Sequence, residues 1–148
     1  MAGPRIGELS ESLEDYVEII ASLLRNKPVA RVRDIAAHKG VSMASVTGAL
    51  KRLAKADLVK YQAREFVELT PGGAALGEKL LYRHDLLRRF LQDVLFVDAN
   101  TAEADACGLE HHLSRVTVER LAELFDYLSS DKGGACGALK AFRRKIKP

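Results

Sequence analysis

The segment CGLEHHLS, residues 107–114, places a thiol, a carboxylate and two imidazoles close together. All of these side chains can ligate a metal ion. On a helix, Cys107, Glu110 and His111 stand at i, i+3 and i+4, on one face, while His112 points elsewhere. Other candidate ligands lie farther off. Asp15 and Glu18 are i, i+3 on an amphipathic N-terminal segment, and His84 sits within LYRHDLLRRF. Each residue alone has an ordinary reading: a solvated helix carboxylate, a hydrogen-bonded surface histidine, a small buried thiol. Spacing by itself leaves these readings and metal ligation open.

The elements that must position these residues follow from periodicity. In LSESLEDYVEIIASLLRNK, Leu13, Tyr16, Val17, Ile20, Leu23 and Leu24 repeat at helical spacing. Ser12 and Asp15 resemble a capping box with Asp in place of Glu or Gln, and Pro28 ends the segment. VRDIAAHKG predicts a short helix with Val32, Ile35 and Ala36 inward and Gly40 just past its end. A second helix restarts with Ser42 as cap and Val46, Leu50 and Leu53 buried. Two helices joined by a tight glycine turn make a helix-turn-helix. LVKY and FVELT, flanking QARE, add a hairpin and hence a wing.

Thr70 and Pro71 then open a long helix, in which Gly72, Gly73 and Gly77 are unfavourable. A loop and a helix carry residues 97–113. Ser114 caps a further amphipathic helix, DKGGACG is a flexible break, and a short basic tail follows. The expected fold class is mainly α: a winged helix-turn-helix domain over residues 1–70 and a helical dimerisation domain over 71–148. Phe90, Leu91, Leu95, Leu121, Leu124 and Phe125 form an apolar face that so small a domain is hard pressed to bury, which predicts a dimer interface.

The 148 residues suit one domain or two small ones. A net charge of +3 does not by itself announce a nucleic-acid binder. Its distribution does more: Arg31, Arg33, Lys39, Lys51, Arg52, Lys55, Lys60 and Arg64 crowd one stretch, and KAFRRKIKP closes the chain. No apolar run approaches the ~20 residues that span a bilayer, and no signal peptide is visible. The expected location is the cytoplasm, where Cys107 and Cys136 are thiols. No nucleophile elbow or phosphate loop occurs, and Glu110 precedes its histidines, unlike the H-E-x-x-H of zinc hydrolases. An enzyme is not expected.

EDYVE on the first helix, a winged helix-turn-helix, YRHDLL on a long helix and CGLEHHLS after it occur in this order. The ordered set resembles the metal-dependent repressors that include the diphtheria-toxin repressor and the manganese transport regulator, over roughly residues 10–128. The resemblance implies a homodimer that binds double-stranded operator DNA when loaded with Mn(II) or Fe(II), controlling metal-uptake genes. It also implies ligand roles for Asp15, Glu18, His84, Glu110 and His111. Asp15 and Glu18 match the manganese-type members. Cys107 stands where that type usually has a bridging glutamate and the iron type a cysteine. Arg88 stands where iron-type members carry a glutamate of a second site. The length also matches the manganese type, with no room for an SH3-like third domain. The chain is thus a hybrid.

Within that resemblance, one strong site is expected from Asp15, Cys107, Glu110 and His111, and a weaker one from Glu18 and His84 sharing Glu110. A thiolate favours later, softer ions than Mn(II) and so raises the relative standing of Fe(II). The first helix and the length favour manganese, which is placed ahead. A bound ion is expected to clamp one domain against the other and to set the spacing of two recognition helices, roughly 34 Å apart on DNA. For the recognition helix, about Ser42 to Ala56, the small residues Ser42, Ala44, Ser45 and Thr47 are expected at base edges. Lys51 and Arg52 are expected at phosphates, and Arg64 at the wing tip near the backbone or minor groove. The alternative is a metal-independent winged-helix regulator responding to an organic ligand.

Overall fold

The computed structural model describes residues 8–62, 66–130 and 134–146. The chain divides into two compact units, Met1–Leu81 and Tyr82–Pro148.

In the first unit, α1 (Glu11–Asn26) starts after Ser10, whose backbone is extended and whose side chain makes no capping bond. The expected Ser12–Asp15 capping box does not form. Ser12 lies inside the first turn, and Asp15 instead accepts a hydrogen bond from Lys39. Glu11 and Glu14 in the first turn suit the positive end of the helix dipole. The chain turns extended at Lys27, as a residue before proline prefers.

Helix α2 (Val32–Lys39) closes on Gly40 at φ 71°, a left-handed conformation that glycine adopts without steric cost. Helix α3 (Met43–Lys55) begins at Ser42, whose hydroxyl accepts from the Ser45 amide at 3.1 Å. Strands β1 (Val59–Lys60) and β2 (Glu68–Leu69) pair antiparallel, Val59 opposite Leu69 and Lys60 opposite Glu68. Val67 also bridges to Ala30, tying the wing to the turn between α1 and α2. The expected winged helix-turn-helix is formed. Its core is Val17, Ile20, Ile35, Val46, Leu50, Leu53, Leu58 and Val67, with Leu76 and Leu80 from the next helix. Arg64 lies outside the described residues.

Helix α4 (Pro71–Asp93) starts as the cap rule predicts, and the division between the units falls within it. Thr70 Oγ1 accepts from the Gly73 amide at 3.0 Å and donates to the Asp57 carbonyl at 2.6 Å. Gly73 and Gly77 near its start are required by packing. A Cβ on Gly73 meets the Leu58 carbonyl oxygen at 1.9 Å, and one on Gly77 meets Ala21 Cβ at 2.6 Å. Their low helix propensity is offset by the close approach they permit to the entry of β1 and to α1.

The second unit holds the rest of α4, then α5 (Ala99–Leu109), α6 (Arg115–Ser129) and α7 (Ala135–Ile146). Asp98 caps α5, accepting from the Asn100 and Thr101 amides, each at 3.1 Å. Hydrogen bonding from the Thr101 side chain and these amides holds its carboxyl below the usual range. Ser114 caps α6 as expected, accepting from the Thr117 amide at 3.2 Å. Leu86, Val94, Val118 and Phe125 form the core, joined by Phe90, Leu113, Leu121, Leu128 and Leu139.

Two expectations change here. The basic C-terminal segment is a helix, because Leu139 packs on the core and Phe142 meets Phe96 at 6.1 Å between ring centroids. Its start, Ala135–Gly137, is the first turn of that helix and no part of a break. The apolar face is also narrower than expected. Phe125 is buried within the unit and Phe90 and Leu121 are half-buried against it, leaving Leu95 and Leu124 exposed.

Candidate metal centre and DNA-binding face

Helix α5 stops at Leu109, and Glu110 continues right-handed at φ −59°, ψ −32° as its C-cap. The helical spacing therefore runs from Cys107 to Glu110 and gives way to a turn at His111. Arg83, a buried residue of α4, fixes this turn. Its guanidinium donates to the Glu110 carbonyl at 2.8 Å and to the Leu113 carbonyl at 3.0 Å.

The Glu110 side chain is fully buried, at 0% exposure. Oε2 lies 3.2 Å from His84 Nδ1, and Oε1 lies 3.4 Å from His111 Nε2. Oε1 accepts no hydrogen bond, and His111 lies in ion-pairing range of it. A buried carboxylate with an orphaned oxygen is costly unless a cation compensates it. Adjacent ligands of an octahedral ion, at about 2.1 Å from it, stand roughly 3 Å apart. The two oxygen–nitrogen separations are close to that figure. The donor set, a carboxylate between imidazole nitrogens, suits Mn(II), Fe(II) and later divalent ions.

The structure thus brings His84, Glu110 and His111 together in the second unit. Cys107 is exposed in the last turn of α5 and joins no close cluster of three such donors among the described residues. His112 is exposed, as its spacing predicts. On α1, Asp15 and Glu18 are half-buried neighbours, and Asp15 Oδ2 lies 2.6 Å from Lys39 Nζ. Two residues at the site escaped the sequence reading. Glu103 Oε1 is 3.0 Å from His84 Nε2, and Arg83 pins the turn. Glu103 and Cys107 on α5 and its C-cap Glu110 stand at i, i+4 and i+7, a spacing that could have signalled Glu103. Arg83 directly precedes His84 and carried no spacing signal.

On the first unit, Ser42, Ala44 and Ser45 are exposed at the start of α3, with Thr47 half-buried. The Ser42 and Ser45 hydroxyls lie 2.9 Å apart, so Ser42 divides its side chain between capping and this contact. Lys51 and Arg52 are exposed farther along the same helix. The exposed Met43, in the first turn beside them, gave no signal in the sequence.

Comparison with known proteins agrees with this architecture. Residues 8–67 match the family model of the iron dependent repressor, N-terminal DNA binding domain. Residues 70–136 match that of the iron dependent repressor, metal binding and dimerisation domain. The chain belongs to the iron-dependent repressor family. The HTH-type transcriptional regulator MntR of Geobacillus thermodenitrificans (strain NG80-2) is 38% identical over 121 residues, covering 82% of this chain and 85% of that protein. MntR of Bacillus velezensis is also 38% identical, over 82% of this chain and 84% of its own. Among solved structures, the manganese regulator SloR superposes with a TM-score of 0.68 at 34% identity. This chain is covered to 78% and that one to 54%, so it spans about half the length of that relative. ScaR with bound Zn2+ gives 0.64 at 32% identity, covering 78% and 54% of the two chains. No helix among the described residues is long and apolar enough to cross a membrane.

Proposed function

We propose that the chain is a metal-activated transcriptional repressor that binds operator DNA as a homodimer when loaded with Mn(II) or Fe(II), acting in the cytoplasm on metal-uptake genes. One observation carries this reading: the buried Glu110 carboxylate faces two imidazoles and leaves one oxygen without a hydrogen bond. A chain that also bears a winged helix-turn-helix has a use for a cation that completes such a cluster. The family favours this over the metal-independent regulator responding to an organic ligand.

Glu110, His111 and His84 are the central ligands of this proposal. Asp15 and Glu18 supply further hard oxygen donors from α1, and Cys107, one turn before Glu110, supplies a thiolate. When bound, a divalent ion supplies positive charge that neutralises these carboxylates. Manganese is placed ahead of iron, because Asp15 and Glu18 on the first helix add hard carboxylate oxygens that outweigh the single thiol. Exposed Val116, Leu124 and Tyr127 on α6, with Leu95, are the apolar surface offered to a second copy.

At the DNA, Ser42, Ala44, Ser45 and Thr47 approach base edges, Lys51 and Arg52 contact phosphates, and Arg64 reaches the backbone or minor groove from the wing. A DNA-binding titration under anaerobic conditions tests the proposal, using Mn(II), Fe(II), Co(II), Zn(II) and chelator. Metal-stimulated, chelator-reversible binding is the expected result. Binding that is indifferent to metal and chelator contradicts it.

A further inference from the structure

We infer that Glu103 is the positioning residue for His84, holding its imidazole as the Nε2–H tautomer so that the unprotonated Nδ1 is the nitrogen offered to a metal. The inference rests on the ligand role proposed above for His84.

The geometry separates the two edges of one ring. Nε2 is 3.0 Å from Glu103 Oε1, while Nδ1 is 3.2 Å from Glu110 Oε2. A neutral imidazole carries one N–H and one lone pair. With the proton on Nε2, the ring donates a charge-assisted hydrogen bond to Glu103. Nδ1 then turns its lone pair toward the Glu110 oxygen, and two acceptors facing each other call for a cation between them, either a proton on Nδ1 or a metal ion that displaces it. The opposite tautomer spends the N–H on Glu110 and sets Nε2 against Glu103.

Glu103 cannot share that ion through the same ring, because its contact is with the far nitrogen. It therefore acts through His84. Its own aim has support: Arg88 Nε lies 4.0 Å from Glu103 Oε2, and Arg88 is held in turn by Asp85 and Gln92. Carboxylates placed behind a ligating histidine fix its orientation and raise its basicity.

The test uses the full chain with isotope-labelled histidine and spin-active cadmium as a diamagnetic ion. In the wild type, His84 should show a protonated Nε2 and cadmium coupling at Nδ1. Glu103→Gln keeps an acceptor and should keep that signature. Glu103→Ala should lose the single-tautomer signature and weaken Cd(II) and Mn(II) binding about tenfold, the lower end for such partners because Glu103 is largely exposed. The melting temperature of the metal-free protein should not move. Coupling at Nε2, or an unchanged signature and affinity in Glu103→Ala, overturns the inference alone. Cadmium bound with neither His84 nitrogen coupled overturns the ligand role of His84 and this inference with it.

Discussion

Lys39, the last residue of α2, sets its ammonium 2.6 Å from Asp15 Oδ2 on α1 and 5.0 Å from the centroid of the Tyr16 ring. Both members of the pair are mostly shielded from solvent, with side chains 19% and 28% exposed. Asp15 is also a proposed metal ligand, and under that proposal Lys39 is an internal cation at a carboxylate that a divalent ion would use.

Lys39→Met should therefore tighten Mn(II) binding while loosening the metal-free protein. A partly shielded ion pair is worth about 1 kcal/mol, which corresponds to roughly a fivefold change in affinity. Calorimetric Mn(II) titration of the two proteins checks this. Equal or weaker affinity in Lys39→Met would mean that Lys39 does not compete with the ion.

Gly73→Ala should destabilise the first unit, because the new methyl collides with the Leu58 backbone carbonyl and not with a side chain that can move aside. Overpacking of this kind costs about 1–3 kcal/mol or more. Gly48→Ala is the control. Its Cβ meets nothing within 4 Å, and alanine is the better helix former there. Thermal melts should show a fall for the first variant and an equal or higher midpoint for the second.

Neutralising Lys51 or Arg52 should weaken binding to all DNA sequences about equally. The slope of log K against log salt should become shallower by roughly 0.9 for each phosphate that the variant no longer neutralises. An unchanged slope would take that residue off the DNA face.

Cobalt(II) reports on Cys107. A thiolate ligand gives intense near-ultraviolet charge-transfer absorption, which carboxylates do not. The band is expected in the wild type and absent in Cys107→Ser, with little loss of stability because the residue is exposed. If there is no band and Cys107→Ser keeps full affinity, the ligands are carboxylates and imidazoles only.

Much of this fold was legible because its signals are local. Ser42, Gly40, Thr70 and Ser114 sit at helix ends where cap chemistry operates over three or four residues, and all four occupy the expected positions. Where the signal is non-local, the sequence misled. Ser12–Asp15 has capping-box spacing, but Asp15 is drawn to Lys39 on another helix. Gly73 and Gly77 weaken a helix by propensity, and only the neighbouring Leu58 and Ala21 explain them. The basic tail folds because Phe142 and Leu139 find Phe96 and the second core, contacts made across the unit. At the site, Glu110 and His111 were legible together from helical spacing with Cys107, although the helix itself ends at Leu109. The pairing of Glu110 with His84 came only through a family resemblance, and Glu103 came from neither.

Glu110 tests the account most directly. Operator affinity should be measured by fluorescence anisotropy, with and without Mn(II), on a DNA fragment selected by the wild-type protein in the presence of Mn(II). The wild type should show a rise in affinity that chelator reverses. Glu110→Gln removes the buried charge but keeps the shape, so the metal-free variant should melt at the same temperature or higher and show no Mn(II)-dependent rise. A Glu110→Gln protein that keeps the wild-type response to Mn(II) contradicts the account.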